Sequence, residues 1–246
     1  MVLHLIGLGL NQRSISKEGL DALSKCKKVY LESYTVEFPY TPKQLEEIIG
    51  KKVVLADREK VENLSIVDES KKLNVALLVY GSPLTATTHI TLLDECRQSG
   101  IKYKVYYNGS IFDAIAETGL QIYKFGKVAS MPTWQKSFEP TSFMKIVKTN
   151  LETEAHSLIL IDIGLPFHKA LKQLKKAAHE YEIPLKKFCV CQRMGTSDRK
   201  ILYRDLGEME SFDGVQGPYC IIIPGKMHFV EKQVLESFGK NSKVFK

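Results

Sequence analysis

Residues 74–83, Asn-Val-Ala-Leu-Leu-Val-Tyr-Gly-Ser-Pro, decide how the fold is read. The apolar run shows no alternation of the kind a half-solvated strand carries. It is also far shorter than the roughly 20 residues a bilayer span requires. Closed by Gly81-Ser82-Pro83, it reads as a central parallel strand covered on both faces. Parallel neighbours need helical crossovers, so strand and helix patterns should alternate on either side. Upstream, Val2–Ile6 is an apolar run ending in Gly7-Leu8-Gly9, and Ser16 can cap a helix that turns Leu20, Leu23 and Cys26 inward. Val29–Leu31 follows as a strand. Thr41-Pro42-Lys43-Gln44 offers a capping hydroxyl, a proline at the first helical position and a glutamine at the third. That helix should stop at Gly50, before a short strand at Val53–Leu55. Downstream, a helix starting near Thr87 or Thr88 should bury Leu92, Leu93 and Cys96. Lys102–Tyr107 is then a strand, followed by the turn Asn108-Gly109-Ser110 and a helix over Ile111–Glu117.

The pattern changes between about 110 and 127, which sets an expected division into domains 1–112 and 113–246. Ser130–Thr141, with Pro132, Trp134, Phe138 and Pro140, reads as irregular. Helices are expected over Ser142–Asn150, Phe167–Tyr181 and His228–Phe238, and strands over His156–Ile163, Phe188–Gln192 and Tyr219–Ile223. The expected fold is α/β, with a largely parallel N-terminal sheet and an α+β second domain built on a mixed sheet.

The 246 residues are 44% hydrophobic and 26% charged, which indicates a folded globular chain and excludes a disordered tail. The opening MVLHLIGLGLNQRS has no basic leader and reads as a buried first strand, and no stretch is long enough to enter a membrane. The formal charge of +7 suits a polyanionic partner or an acidic protein surface without establishing either, and the lysines are spread out, with mild concentrations at Lys169–Lys187 and after Gly225. No zinc-finger spacing or basic stripe with interleaved aromatics occurs, so direct nucleic-acid binding is the lesser reading. Five cysteines, an odd number lying in apolar patterns, read as reduced and packed thiols of a cytoplasmic protein. Cys189 and Cys191 share a strand face without a second ligand pair, so no metal site is expected.

Ligands of open parallel sheets sit beyond the carboxyl ends of the strands. Gly7–Leu10, Gly81–Thr85 and Asn108–Ile111 fall at such ends, and Pro224–His228 follows a strand in the second domain; together they suggest a cleft between the domains. A dinucleotide fingerprint would need a third glycine where Gln12 stands, and Glu32 only approximates the acidic residue expected after a second strand. No phosphate loop and no common hydrolase motif occurs. His4 and His156 read as structural or surface histidines, and His168 and His179 as the polar part of a helix. Asp162 closes an apolar strand, where a carboxylate could orient a cofactor or a substrate amine, or could hold the Gly164–Pro166 bend.

Six blocks in order carry a resemblance. MVLHLIGLGL at 1–10, Ala56-Asp57-Arg58-Glu59, Ala86-Thr87-Thr88-His89, Gly119–Gly126, Leu160-Ile161-Asp162-Ile163 and Pro224–His228 are similar to the diphthine synthases, a branch of the tetrapyrrole-methylase-like fold. They span nearly the whole chain, and Ala-Thr-Thr-His and Leu-x-Ile-Tyr-Lys-Phe-Gly are far more specific than a lone glycine pair.

The resemblance implies a homodimer that binds S-adenosyl-L-methionine and releases S-adenosyl-L-homocysteine. The implied reaction is successive methylation of the amine of the 3-carboxy-3-aminopropyl group on a histidine of elongation factor 2, the partner and substrate. Archaeal members stop at the trimethylated amine, and eukaryotic members add a methyl ester. Carried over by position, cofactor contacts fall at Leu10, Ser82, Thr85, Ser110, Ile111, Ile163, Met194 and His228, with Met194 the loosest match. Asp162 and His89 are the candidate catalytic residues, and His228 is better suited to shaping the cofactor site. One departure stands out: Ser82 replaces the family's usual aspartate. A lost charge-assisted hydrogen bond is worth roughly 1.5–3 kcal/mol, or tenfold or more in affinity, unless another carboxylate compensates. Ser82 therefore keeps a second reading open, a homologue that binds the elongation factor without turnover. A methylase of the same fold with another substrate is the third.

Overall fold

The computed structural model describes residues 1–239, and residues 240–246 of the expected second domain lie outside them. The chain divides into two units, Met1–Ile111 and a second beginning at Phe112, one residue before the expected boundary.

The first unit runs β1 (Val2–Gly7), α1 (Lys17–Ser24), β2 (Lys28–Glu32), α2 (Pro42–Ile49), β3 (Val54–Ala56), α3 (Arg58–Glu62), α4 (Ser65–Ser70), β4 (Val75–Val79), α5 (Ile90–Gln98) and β5 (Lys102–Tyr106). Its sheet has the order β3-β2-β4-β1-β5 and every pairing is parallel. β4 occupies the middle, and all five of its residues are buried. Alternate side chains feed two cores. Val75, Leu77 and Val79 pack with Leu3, Leu5, Leu92 and Cys96 on one face. Ala76 and Leu78 pack with Ile6, Leu23, Leu31 and Leu45 on the other. This explains the missing alternation, since neither face of the strand meets water.

Local signals fix the helix ends. The Ser16 hydroxyl accepts from Gly19 N at 3.0 Å. Thr41 and Gln44 form the reciprocal capping box, and Gly50 ends α2 in the left-handed region. Such caps contribute about 1 kcal/mol each. Two expectations shift. The helix placed near Thr87 begins at Ile90, and the helix placed over Ile111–Glu117 is a single turn, α6 (Ile111–Ala114), that tightens to 3-10 geometry over Ile115–Thr118. The short helices α3 and α4 have no counterpart in the sequence reading.

After α6 the second unit contains β6 (Ala129–Met131), α7 (Ser142–Glu152), β7 (Ser157–Ile161), α8 (Phe167–Glu180), β8 (Lys187–Gln192), β9 (Lys200–Asp205), α9 (Leu206–Glu210), β10 (Tyr219–Ile223) and α10 (Phe229–Glu236). The sheet order is β6-β7-β10-β8-β9, mixed as expected, with only β6 and β7 parallel. Its core joins Phe143, Val147, Leu171, Leu174, Phe188, Val190 and Ile221. Among the described residues no helix is long and apolar enough to cross a membrane.

Candidate active site

Because β1, β4 and β5 are adjacent and parallel, their carboxyl ends lie side by side, and the three loop tips meet. Gly9 and Gly81 exchange backbone hydrogen bonds of 3.0 and 2.9 Å, both at positive φ (68° and 71°). A Cβ on Gly7 would stand 2.8 Å from Gly81 O and 2.8 Å from Pro83 Cδ, so only glycine fits there. The Asn108 carboxamide donates to Gly7 O at 3.1 Å and to Ser14 O at 2.8 Å. Asn108 N donates to Ser82 Oγ at 3.4 Å, and the Tyr80 hydroxyl donates to Leu10 O at 3.0 Å. Ser110 packs over Gly81, where a Cβ would stand 3.6 Å from it, and Ile111 opens α6 directly after it. Of the residues expected to hold the cofactor, Leu10, Ser82, Ser110 and Ile111 are thus gathered around Gly81 and Asn108. Thr85 follows Ser82 in a sharp turn, its amide donating to Ser82 O at 3.4 Å between the positive-φ residues Leu84 and Ala86.

The gathered groups suit a polar nucleoside. Leu10, Ser82, Thr85 and Ile111 are partly exposed, and Gly109 has nothing within 4 Å of where its Cβ would stand, so a ligand can reach the backbone. Ser82 accepts from Asn108 N, which leaves its hydroxyl proton to be donated elsewhere. No compensating carboxylate comes from Glu32. That side chain is fully buried, and it accepts from Tyr34 N, Thr35 N and the Thr35 hydroxyl. A cavity of about 430 Å³ lined by Leu64, Ile90, Thr91, Asp94, Glu95 and Arg97 shares no residue with the three tips.

His89 precedes α5 and is 1% exposed. Its Nε2 lies 3.4 Å from the Tyr34 hydroxyl, and its Nδ1 has no partner among the described residues. Burial lowers its pKa to about 4, so the ring is neutral at pH 7.

In the second unit, Asp162 is exposed at the end of β7. It ties two backbone amides, Thr133 N to Oδ2 at 2.9 Å and Ile163 N to Oδ1 at 3.1 Å. Ile163 follows β7, and Met194, 3% exposed, follows β8. By register these two strand ends lie on one side of the sheet, beside the start of β10. Pro224–His228 follows the far end of β10, beside the start of β7. Within the unit, antiparallel pairing therefore sends this turn away from Ile163 and Met194, against the expectation that His228 shares a ligand with them. His228 is the exposed N-cap of α10, its Nδ1 accepting from Val230 N at 3.4 Å.

The sequence reading missed what holds that turn. Glu231, 1% exposed, accepts from His228 N at 2.6 Å, Gln121 N at 2.9 Å and the Lys124 ammonium. His156, fully buried, accepts from Gly225 N through Nδ1 at 2.9 Å. Gly119–Gly126, one of the most specific sequence blocks, is thereby tied to Pro224–His228.

Comparison with known proteins agrees with this architecture. The family model for tetrapyrrole (corrin/porphyrin) methylases matches residues 2–210. The diphthine methyl ester synthase of Homo sapiens is 34% identical over 272 residues, covering 97% of this chain and 95% of that protein. The diphthine synthase of Methanocaldococcus jannaschii is 32% identical over 256 residues, covering 98% and 100%. A crystal structure of diphthine synthase superposes with a TM-score of 0.89 at 28% identity, covering 97% of this chain and 96% of that one. Likeness over the full length, in sequence and in fold, settles membership: the chain belongs to the diphthine synthase family of the tetrapyrrole methylases.

Proposed function

We propose that this chain uses S-adenosylmethionine to methylate the diphthamide precursor on elongation factor 2. The observation that carries the reading is the meeting of three loop tips at the carboxyl ends of β1, β4 and β5, around a backbone opened by glycine. When bound, the cofactor supplies a methyl group already activated by its positive sulfur, so the protein's work is alignment and exclusion of water. By the family resemblance the cofactor contacts are Leu10, Ser82, Thr85, Ser110, Ile111, Ile163 and Met194. Several of these act through backbone atoms, which is why Leu10, Ile111 and Ile163 need preserve only shape.

Attack requires a neutral amine. Desolvation of the substrate amine lowers its pKa and supplies that form without a dedicated base. His89 is a poor proton acceptor for such an amine, because a base with a pKa near 4 cannot compete for the proton of an ammonium. Its buried place before α5 suits support of the Ser82–Thr85 tip. Asp162 keeps free lone pairs beyond its two amide bonds, and it is the carboxylate we assign to orienting the substrate amine. If Asp162→Asn leaves both cofactor affinity and turnover unchanged, that assignment is wrong. By the same family reading the protein works as a homodimer in the cytoplasm, and light scattering of the purified protein checks the dimer.

A single reaction tests the function. Purified protein, labelled S-adenosylmethionine and elongation factor 2 bearing the unmethylated intermediate are combined, and the product is weighed by mass spectrometry. Stepwise methyl gain on the modified histidine is the expected result. Ser82 supports the second reading, a binding homologue without turnover. Calorimetric titration with S-adenosylmethionine separates the two: micromolar binding supports the enzyme, and absence of binding supports the homologue without turnover.

A further inference from the structure

Asn108 lies at the end of β5, and its side chain bonds to both the entry and the exit of the β1 tip. Its Nδ2 donates to Gly7 O at 3.1 Å and to Ser14 O at 2.8 Å, and its Oδ1 accepts from Gly109 N at 2.8 Å. This pattern admits one orientation of the carboxamide: nitrogen toward two carbonyls, oxygen toward an amide. The group is also confined. A Cβ on Gly7 would stand 3.0 Å from Asn108 Cβ, and one on Gly9 would stand 3.1 Å from Asn108 Oδ1. The Asn108 amide completes the set by donating to Ser82 Oγ at 3.4 Å.

We propose that Asn108 is a positioning residue for the reaction, a pin that sets the β1 tip against the β4 and β5 tips so that Leu10, Ser82 and Ser110 face one ligand together. This rests on the reading of those tips as the cofactor site. Nothing in the role requires Asn108 to touch the cofactor. Backbone contacts depend on where the chain runs and hardly at all on which side chains it carries, so a site built from main-chain atoms needs such a pin. Ser14 belongs to the same device. It lies beyond the bend at Gly9–Leu10, and anchoring its carbonyl fixes the exit of the loop as Gly7 fixes its entry. Aspartate at 108 would keep the bond from Gly109 N but turn a second oxygen toward two carbonyl oxygens, and alanine would leave both carbonyls without their donor.

The test measures S-adenosylhomocysteine affinity by calorimetry, and turnover at saturating S-adenosylmethionine, for wild type, Asn108→Ala and Asn108→Asp. Both variants should bind about tenfold or more weakly, as expected for two lost hydrogen bonds, while turnover at saturation stays within a few-fold of wild type. Acid adds a signature that general destabilisation would not give. A carboxyl facing two carbonyls titrates above its ordinary range, and once protonated it can donate to one of them. Asn108→Asp should therefore regain affinity between roughly pH 7 and 5, where wild type does not gain. Should Asn108→Ala fail to fold, Asn108→Asp read at two pH values still decides the matter. Wild-type affinity in a folded variant, or no gain of Asn108→Asp on acidification, overturns the proposal. Failure of the wild-type protein to bind S-adenosylhomocysteine at all would overturn the cofactor reading beneath it, and the two failures are distinguishable.

Discussion

His156 and Glu231 form a fully buried pair in which the direction of the proton is fixed. The ring Nδ1 accepts from Gly225 N at 2.9 Å, so the hydrogen resides on Nε2 and is donated to Glu231 Oε1 at 3.1 Å. Burial alone would raise the Glu231 carboxyl. Bonds from Lys124, from the amides of Gln121 and His228 and from His156 outweigh it and hold the carboxyl at about 2. Glu231→Gln keeps the shape but turns an NH2 group toward these donors. It should destabilise the protein by about 3 kcal/mol in urea unfolding, the scale for breaking a buried charged network. A loss below about 1 kcal/mol would show that water replaces the carboxylate freely.

Acid should weaken the fold before the carboxylates titrate. His89 takes its proton at about 4 in the folded chain against 6.5 in the open one, chiefly through burial. Between those values the unfolded state binds more protons. The stabilisation is therefore complete above 6.5, falls as pH drops to 4 and amounts to about 3 kcal/mol. His156, lowered first by burial, acts with the same sign. Urea unfolding across this range should show the decline, and His89→Gln should flatten it. Parallel curves for the two proteins would mean that His89 accepts its proton without strain.

Ser82→Asp restores the carboxylate that the family resemblance leads one to expect. The new group would still accept from the Asn108 amide and would add negative charge to the tip, where Glu32 supplies none. Cofactor affinity should rise about tenfold, and the gain should shrink in high salt. Unchanged or weaker binding, measured by calorimetry, would place Ser82 away from the cofactor's charged groups.

The glycines of the tips should divide into two kinds. Gly7→Ala places a methyl 2.8 Å from the Gly81 carbonyl oxygen and from Pro83, so the tips must part. A loss of roughly 1–3 kcal/mol in stability is expected, together with most cofactor affinity. Gly109→Ala meets nothing within 4 Å, so the melting temperature should hold. Any loss of cofactor affinity in Gly109→Ala then reports a ligand close to the backbone, and no loss places the ligand elsewhere.

Much of the fold was legible because local chemistry and burial agree. The unbroken run of β4, the Ser16 cap and the Thr41–Gln44 box each specify their element within a few residues. Where the signal was weak, elements were missed. β6 is three residues long inside a proline-rich stretch. β9 reads Lys-Ile-Leu-Tyr-Arg-Asp, with charged ends suited to a sheet edge, and α3 and α4 are too short and polar to show a period. The glycine tips of the site were visible as turns after strands. The side chains that hold the turns in place were not. Glu231, between Val230 and Lys232, looks like any surface charge on a helix, and only its spacing of three from the cap at His228 hints at its role. Asn108 looked like a turn former, because nothing local says that Gly7 and Ser14 will lie beside it.

Cys189, Cys191 and Cys220 are buried together, Cys189 and Cys191 with sulfurs 3.7 Å apart and Cys220 opposite Cys191 in the sheet. Cys26 and Cys96 are buried in the first unit. A thiol-directed label can reach such sulfurs only when the structure around them opens. The chain thus has a built-in clock for each half: modification of Cys26 or Cys96 times the opening of one unit, and modification of the trio times the other, with no cysteine introduced.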